Sequence, residues 1–140
     1  MTNDERPGLA PGVKGELRQT VRREHLASTY GSGGLDVFST PHMIALMEGA
    51  ALGAVAPFLR AGETTVGTRV EVDHLEACPA GAEVVATAEL LEVDGRWLKF
   101  AVRATAGETL LGQGIHGRAI ISEERFLSKL RQKWGPRAGV

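Results

Sequence analysis

Thr40-Pro-His-Met-Ile-Ala-Leu-Met-Glu-Gly-Ala-Ala-Leu-Gly-Ala-Val-Ala-Pro-Phe-Leu59 reads as one long helix, and that reading decides the fold. A threonine at the N-cap accepts a hydrogen bond from an orphan N–H, and proline is tolerated at the first helical position. The helix is therefore predicted to open with Thr40 as its cap. Pro57 ends it, and Ala61-Gly62 supplies the exit. Ile44, Ala51, Val55 and Phe58 recur at helical spacing and predict a buried face with Glu48 in its middle. An ionised carboxylate loses hydration on burial, so Glu48 must be paired, neutralised or opened into a cavity. The small residues Gly49, Ala50, Ala51, Gly53, Ala54 and Ala56 allow unusually close approach, as in a helix wrapped by a sheet.

Downstream of the helix the period changes to two. Val66, Thr68, Val70 and Val72 alternate with Arg69, Glu71 and Asp73, the pattern of a half-buried antiparallel strand, and His74 falls in phase with the valines. Ala82 to Val93 alternates likewise, meets the hairpin dipeptide Asp94-Gly95, and returns as Arg96 to Thr105. Ala106-Gly107 turns the chain into a last strand, Thr109 to Ile121. Ser122-Glu-Glu then caps a final helix that Gly135-Pro136 stops. Upstream, Gly15 to Leu26 suits an edge strand, and Ala27 to Ser39 is rich in Gly and Ser and reads as a loop.

At 140 residues and 43% apolar the chain is expected to form one domain with a real core. The expected organisation is an arm over 1–14, a single α+β domain over 15–134 and a tail over 135–140. A net charge of -1 disfavours wholesale binding to nucleic acid or anionic membrane. Cys78 is the sole cysteine, so no internal disulfide forms, and no metal-ligand cluster surrounds it. No secretory apolar segment opens the chain, and Glu48 spoils the longest apolar run as a membrane span. A cytoplasmic protein without a metal is expected.

Packing the helix on the sheet is expected to bring Glu48 and His74 into one layer. That pair is either a site or a buried hydrogen bond that merely satisfies two polar groups. A helix N-terminus is also a ready oxyanion site, so Thr40 can both cap and act. A rise of about 1.5 Å per residue leaves Glu48 about 12 Å along the axis from Thr40, a gap for a substrate, a water or a second protomer. His116-Gly117-Arg118 offers a cation beside flexible backbone, suited to phosphate or simply solvated. Asp36 and His42 near the helix start resemble an acid/base pair only weakly, and His25 belongs to no pattern.

Taken in order, Tyr30-Gly-Ser-Gly, Phe38-Ser-Thr-Pro41, Ala45-Leu-Met-Glu-Gly-Ala50, Val66-Gly-Thr68, Val72-Asp-His74, Asp94-Gly95 and Gly114-x-His116-x-Arg118 resemble the hot-dog-fold acyl-CoA thioesterases, in the branch of fluoroacetyl-CoA thioesterase. The resemblance spans about Gly15 to Lys133. It implies an antiparallel sheet around the long helix, a homodimer with acyl-CoA sites at the dimer interface, and leaves dimer or tetramer open. It places catalytic roles on Thr40, Glu48 and His74 and substrate contacts on Gly67, Arg118 and the adjoining His116. Coenzyme A enters as part of the substrate, with no separate cofactor. The fluoroacetyl-specific member has an aromatic lid just before the helix, where this chain has Gly33-Gly34-Leu35. The implied activity is therefore hydrolysis of short- or medium-chain acyl-CoA. Two alternatives to that implied activity stay open: a non-catalytic acyl-CoA binding module, and an enoyl-thioester hydratase using Asp36 and His42.

Overall fold

Period-two alternation after residue 62 builds four successive antiparallel strands. The computed structural model, which describes residues 6–136, shows how they close around the helix. The elements are β1 (Lys14–Thr20), α1 (Ala27–Tyr30), α2 (Thr40–Val55), β2 (Glu63–His74), β3 (Glu83–Asp94), β4 (Trp97–Ala106), β5 (Thr109–Ser122) and α3 (Glu123–Trp134). The sheet order is β1-β3-β4-β5-β2, antiparallel throughout. β2 is thus an outer strand, its second edge unpaired among the described residues. Asp94 pairs with Trp97 across a two-residue turn, with Gly95 at φ 60, as the Asp-Gly signal predicts. No helix among the described residues is long and apolar enough to cross a membrane.

The sheet wraps α2 as expected, and small residues on both partners permit it. Met43, Leu46, Met47, Ala50, Ala51, Ala54 and Val55 are buried against Val84, Ala86, Ala88, Leu90, Phe100, Val102 and Ala104. The buried face is therefore turned from the expected one: Ile44 and Phe58 are only half-buried, and Glu48 sits on the flank. The two methionines outweigh them because they reach the sheet centre, where each large side chain removed from water contributes about 1.5–3 kcal/mol.

β1 crosses the helix at Gly15, where a Cβ would stand 2.8 Å from the Ala54 Cβ. Any side chain there forces strand and helix apart. Gly15→Ala is expected to cost roughly 1–3 kcal/mol and to lower the Tm by several degrees in calorimetry.

Three local expectations are corrected. β1 ends at Thr20, not near Leu26, because the Arg22 N–H donates to His25 Nδ1 at 3.0 Å and folds Arg23–His25 into a 3-10 turn. The stretch before α2 is not all loop, since α1 forms there and Gly31 ends it at φ 75. In β2 the pairing shifts between Gly67 and Arg69. The extra residue, Thr68, reverses the alternation. Glu63, Thr65 and Gly67 consequently share a face with Val70, Val72 and His74, whereas Val66 and Thr68 do not.

Of the expected N-terminal arm, residues 1–5 lie outside the described residues, as do 137–140 of the expected tail. From Arg6 on, the chain is seated. The Arg6 guanidinium pairs with Glu63 at 2.5 Å and holds that carboxyl below its usual range, and the Gly12 N–H donates to Leu90 O at 2.8 Å.

Candidate active site

At the N-terminus of α2 the cap is Ser39, not Thr40. Ser39 has extended backbone (φ -76, ψ 144) and its side chain accepts from the His42 N–H at 3.2 Å. Both residues are good capping types, but only Ser39 precedes the helical dihedrals, so Thr40 and Pro41 occupy the first turn. This shift leaves the Thr40 hydroxyl to act elsewhere. It lies 2.7 Å from His74 Nδ1 at the end of β2. Thr40 N–H is also the first orphan donor of the helix, and Pro41 has none to offer.

The Thr40–His74 pair opens on a cavity of about 400 Å³ lined by Leu35, Val37, Phe38 and Leu75, with Gly33 and Gly34 at its edge. Leu35 is 72% exposed on the rim. His74 Nε2 is buried and has no hydrogen-bond partner among the described residues. An imidazole with one nitrogen on a hydroxyl and the other shielded but unsatisfied lacks the group that would orient it.

Glu48 does not fill that role within the chain. Its carboxylate faces Arg118, with Oε2 3.5 Å from Nη1, and stands over Gly67, where a Cβ would be 2.6 Å from Oε2. A side chain at 67 would displace the carboxylate from this position. Glu48 and His74 thus face the same layer, as expected, but do not meet within a single chain. Six strand residues, one of them the bulge, lie between Gly67 and His74, roughly 20 Å along β2.

Arg118 is buried rather than extended toward solvent. Its Nε donates to Thr65 Oγ1 at 2.8 Å and its Nη2 to Thr65 O at 2.9 Å, leaving Nη1 for Glu48 and His116. Burial lowers its pKa and the Glu48 carboxylate partly offsets that, yet guanidinium remains charged. His116, also buried, donates from Nδ1 to Arg69 O at 2.7 Å and accepts from Arg118 Nη1 at Nε2, 3.1 Å away. Those partners require the neutral Nδ1–H tautomer.

Asp36 and His42 go to different partners. Asp36 accepts from Ser28 Oγ at 2.5 Å, while His42 Nδ1 meets the Tyr30 hydroxyl at 3.0 Å and its ring stacks on His25 at 3.9 Å. Cys78 is buried, which raises its thiol pKa away from thiolate chemistry.

With this geometry in view, a family model of fluoroacetyl-CoA-specific thioesterases matches residues 21–124. The chain belongs to that family. Fluoroacetyl-CoA thioesterase of Streptantibioticus cattleyicolor is 43% identical to it over 115 residues, covering 82% of this chain and 83% of the relative. The solved structure of the fluoroacetyl-CoA thioesterase FlK superposes with a TM-score of 0.83 at 37% identity, covering 90% of this chain and 98% of that one. A hypothetical protein of the thioesterase superfamily from Thermus thermophilus gives 0.82 at 25% identity, covering 91% and 97%. The fold is accordingly the hot-dog fold, and the chain is an acyl-CoA thioesterase.

Sequence reasoning missed Ser39 as the cap and Thr65 as the anchor of Arg118. The available signal for Thr65 was a hydroxyl residue two positions before the glycine and so on its face, though only the bulge brings both into phase with Val70, Val72 and His74.

The His116 arrangement sets an acid limit for the family member. Burial is the main cause that lowers its pKa, and the Arg118 charge adds to it, with the bond to Arg69 O opposing. His42 is lowered in the same direction by burial and by His25. A native histidine that resists protonation leaves the unfolded state binding more protons below about pH 6.5, so stability falls as pH drops through that point. Thermal unfolding is expected to show Tm declining from pH 7 to pH 5, before carboxylates titrate, and His116→Gln is expected to flatten part of that slope.

Proposed function

We propose that this thioesterase hydrolyses short- to medium-chain acyl-CoA at sites built by two copies of the chain, in the cytoplasm. The Thr40–His74 hydrogen bond of 2.7 Å carries the reading. A hydroxyl on an imidazole is a nucleophile–base arrangement. His74 takes the Thr40 proton as Oγ attacks the thioester carbonyl carbon, the developing oxyanion faces the Thr40 N–H at the helix N-terminus, and the C–S bond breaks with His74 returning the proton to the thiolate. Water, deprotonated by His74, then attacks the acyl carbon, and His74 returns the proton to Thr40 Oγ as its bond to that carbon breaks and the acid leaves.

The second copy supplies what His74 Nε2 lacks. An antiparallel pairing of the free β2 edges about a two-fold at Glu71, the ladder position midway between Gly67 and His74 once the bulge is counted, sets Gly67, and Glu48 above it, opposite the partner subunit's His74. Val70, 41% exposed on that edge, is then covered. Glu48, held by Arg118, orients the imidazole and stabilises its cationic form. In this arrangement Gly67 admits the carboxylate, Arg118 is a positioning residue, and His116 fixes Arg118.

Gly33, Gly34 and Leu35 put no aromatic lid over this cavity of about 400 Å³, so acyl groups longer than acetyl fit. Thiol release is the test, across acetyl-, fluoroacetyl-, butyryl- and hexanoyl-CoA. All four are expected to be turned over, without a large preference for the fluorinated substrate, and acetyl-CoA is expected to leave one acetyl group on Thr40 in quenched samples. Tight binding with no thiol release would instead identify a binding module.

A further inference from the structure

The strongest concentration of positive charge lies away from the thioester chemistry, where β2 begins and β5 gives way to α3. Arg6, Arg60, Arg96, Arg125 and Lys129 line a cavity of about 500 Å³ there, against one carboxylate, Glu63. In a chain of net charge -1 this is a marked local excess. Arg6 is spent on Glu63. Arg96, Arg125 and Lys129 have no ion-pair partner among the described residues, and Arg96 lies over the Trp97 ring at 4.8 Å. Glu123 and Glu124, in the first turn of α3, do not line the cavity.

Strand register ties this cavity to the proposed site. Glu63, Thr65 and Gly67 share one face of β2 and stand opposite Ser122, Ile120 and Arg118 of β5. The cavity therefore lies four residues of strand, about 13 Å, from the carboxylate of Glu48. An extended pantetheine arm covers that span. Arg118, buried and held by Thr65, His116 and Glu48, does not reach a distant phosphate, so the substrate's charged end requires other cations.

We propose that this cavity binds the phosphorylated nucleotide end of coenzyme A, with Arg96, Arg125 and Lys129 on its phosphates; the inference rests on the acyl-CoA reading above. Guanidinium forks match phosphate oxygens, lysine adds a mobile point charge, and Phe126, 40% exposed at the rim, offers a face for the base. The volume exceeds what a single phosphate fills.

Arg125→Ala/Lys129→Ala, two changes on the exposed helix α3, tests it with acetyl-CoA and S-acetylpantetheine side by side. Loss of two charge-assisted contacts is expected to raise KM for acetyl-CoA about tenfold or more, with kcat within about twofold. KM for S-acetylpantetheine, which lacks the nucleotide, is expected to stay put. Equal changes with both substrates, or no change with acetyl-CoA, would overturn the assignment. Calorimetric titration with adenosine 3′,5′-bisphosphate gives a readout independent of turnover: if the wild-type chain hydrolyses neither thioester, the hydrolytic reading fails alone. Binding by wild type that the double variant loses supports the nucleotide site. Failure of wild type to bind, or binding of single-stranded DNA or anionic vesicles in its place, sinks it.

Discussion

Replacing Thr40 by alanine is expected to lower kcat/KM for acetyl-CoA by roughly 10³-fold, about 4 kcal/mol of transition-state stabilisation, while the protein stays folded. The size follows from what the hydroxyl does in the proposed reaction. Without Oγ there is no acyl-enzyme, and His74 is left to activate water at a carbonyl held only by the helix N-terminus. The structural cost is small because Thr40 is exposed and the capping bond belongs to Ser39, so only one solvent-accessible hydrogen bond is lost, about 1 kcal/mol or less. Thr40→Ser keeps the oxygen and is expected to retain activity within about tenfold. Initial-rate assays paired with thermal melts distinguish this from a cap defect. Were Thr40 merely a cap, the alanine variant would lose stability and keep its rate, the reverse of the expectation. Capture of an acetyl group on wild type and its absence from the alanine variant would separate nucleophilic attack from general-base hydrolysis.

Much of this arrangement is readable in the chain because the relevant patterns are local. Asp94-Gly95 announces a hairpin, the change of period from helical to two announces the sheet, and the small-residue run from Gly49 to Ala56 announces a closely wrapped helix. Glu48 stands out because a carboxylate amid apolar residues needs an explanation. What the chain does not display are facts created by one displaced residue or by long-range contact. Ser39 and Thr40 are equally good caps by type, and only the backbone decides between them. Thr68 looks like any strand residue, yet as a bulge it swaps the faces of Thr65 and Val66. The Glu48–His74 expectation was sound about layers and wrong about distance along the strand, because alternation says which face a residue occupies and nothing about how far apart two residues on that face lie. Arg118 reads as a phosphate-binding or a solvated strand cation until Thr65 is seen to take two of its donors.

That same separation along β2 gives the most decisive prediction. Thr40→Ala and Glu48→Gln are each expected to be nearly inactive as separate preparations. Co-expressed or refolded together, they are expected to recover about a quarter of wild-type activity. In a mixed dimer one site draws its Glu48 from the Thr40→Ala subunit and its Thr40 and His74 from the Glu48→Gln subunit, so that site is intact while the other carries both lesions. Random pairing makes half of the dimers mixed, and each mixed dimer keeps one site of two. A site contained in one chain allows no such rescue, since every subunit in the mixture would still carry a lesion in its own site. Glu48→Gln is suited to the purpose because it preserves the volume above Gly67, and Arg118 keeps its two bonds to Thr65, so the dimer edge is undisturbed. Recovery at that level would establish that two copies build each site. Its absence, with mixed dimers verified by mass spectrometry, would return Glu48 to a purely structural partnership with Arg118.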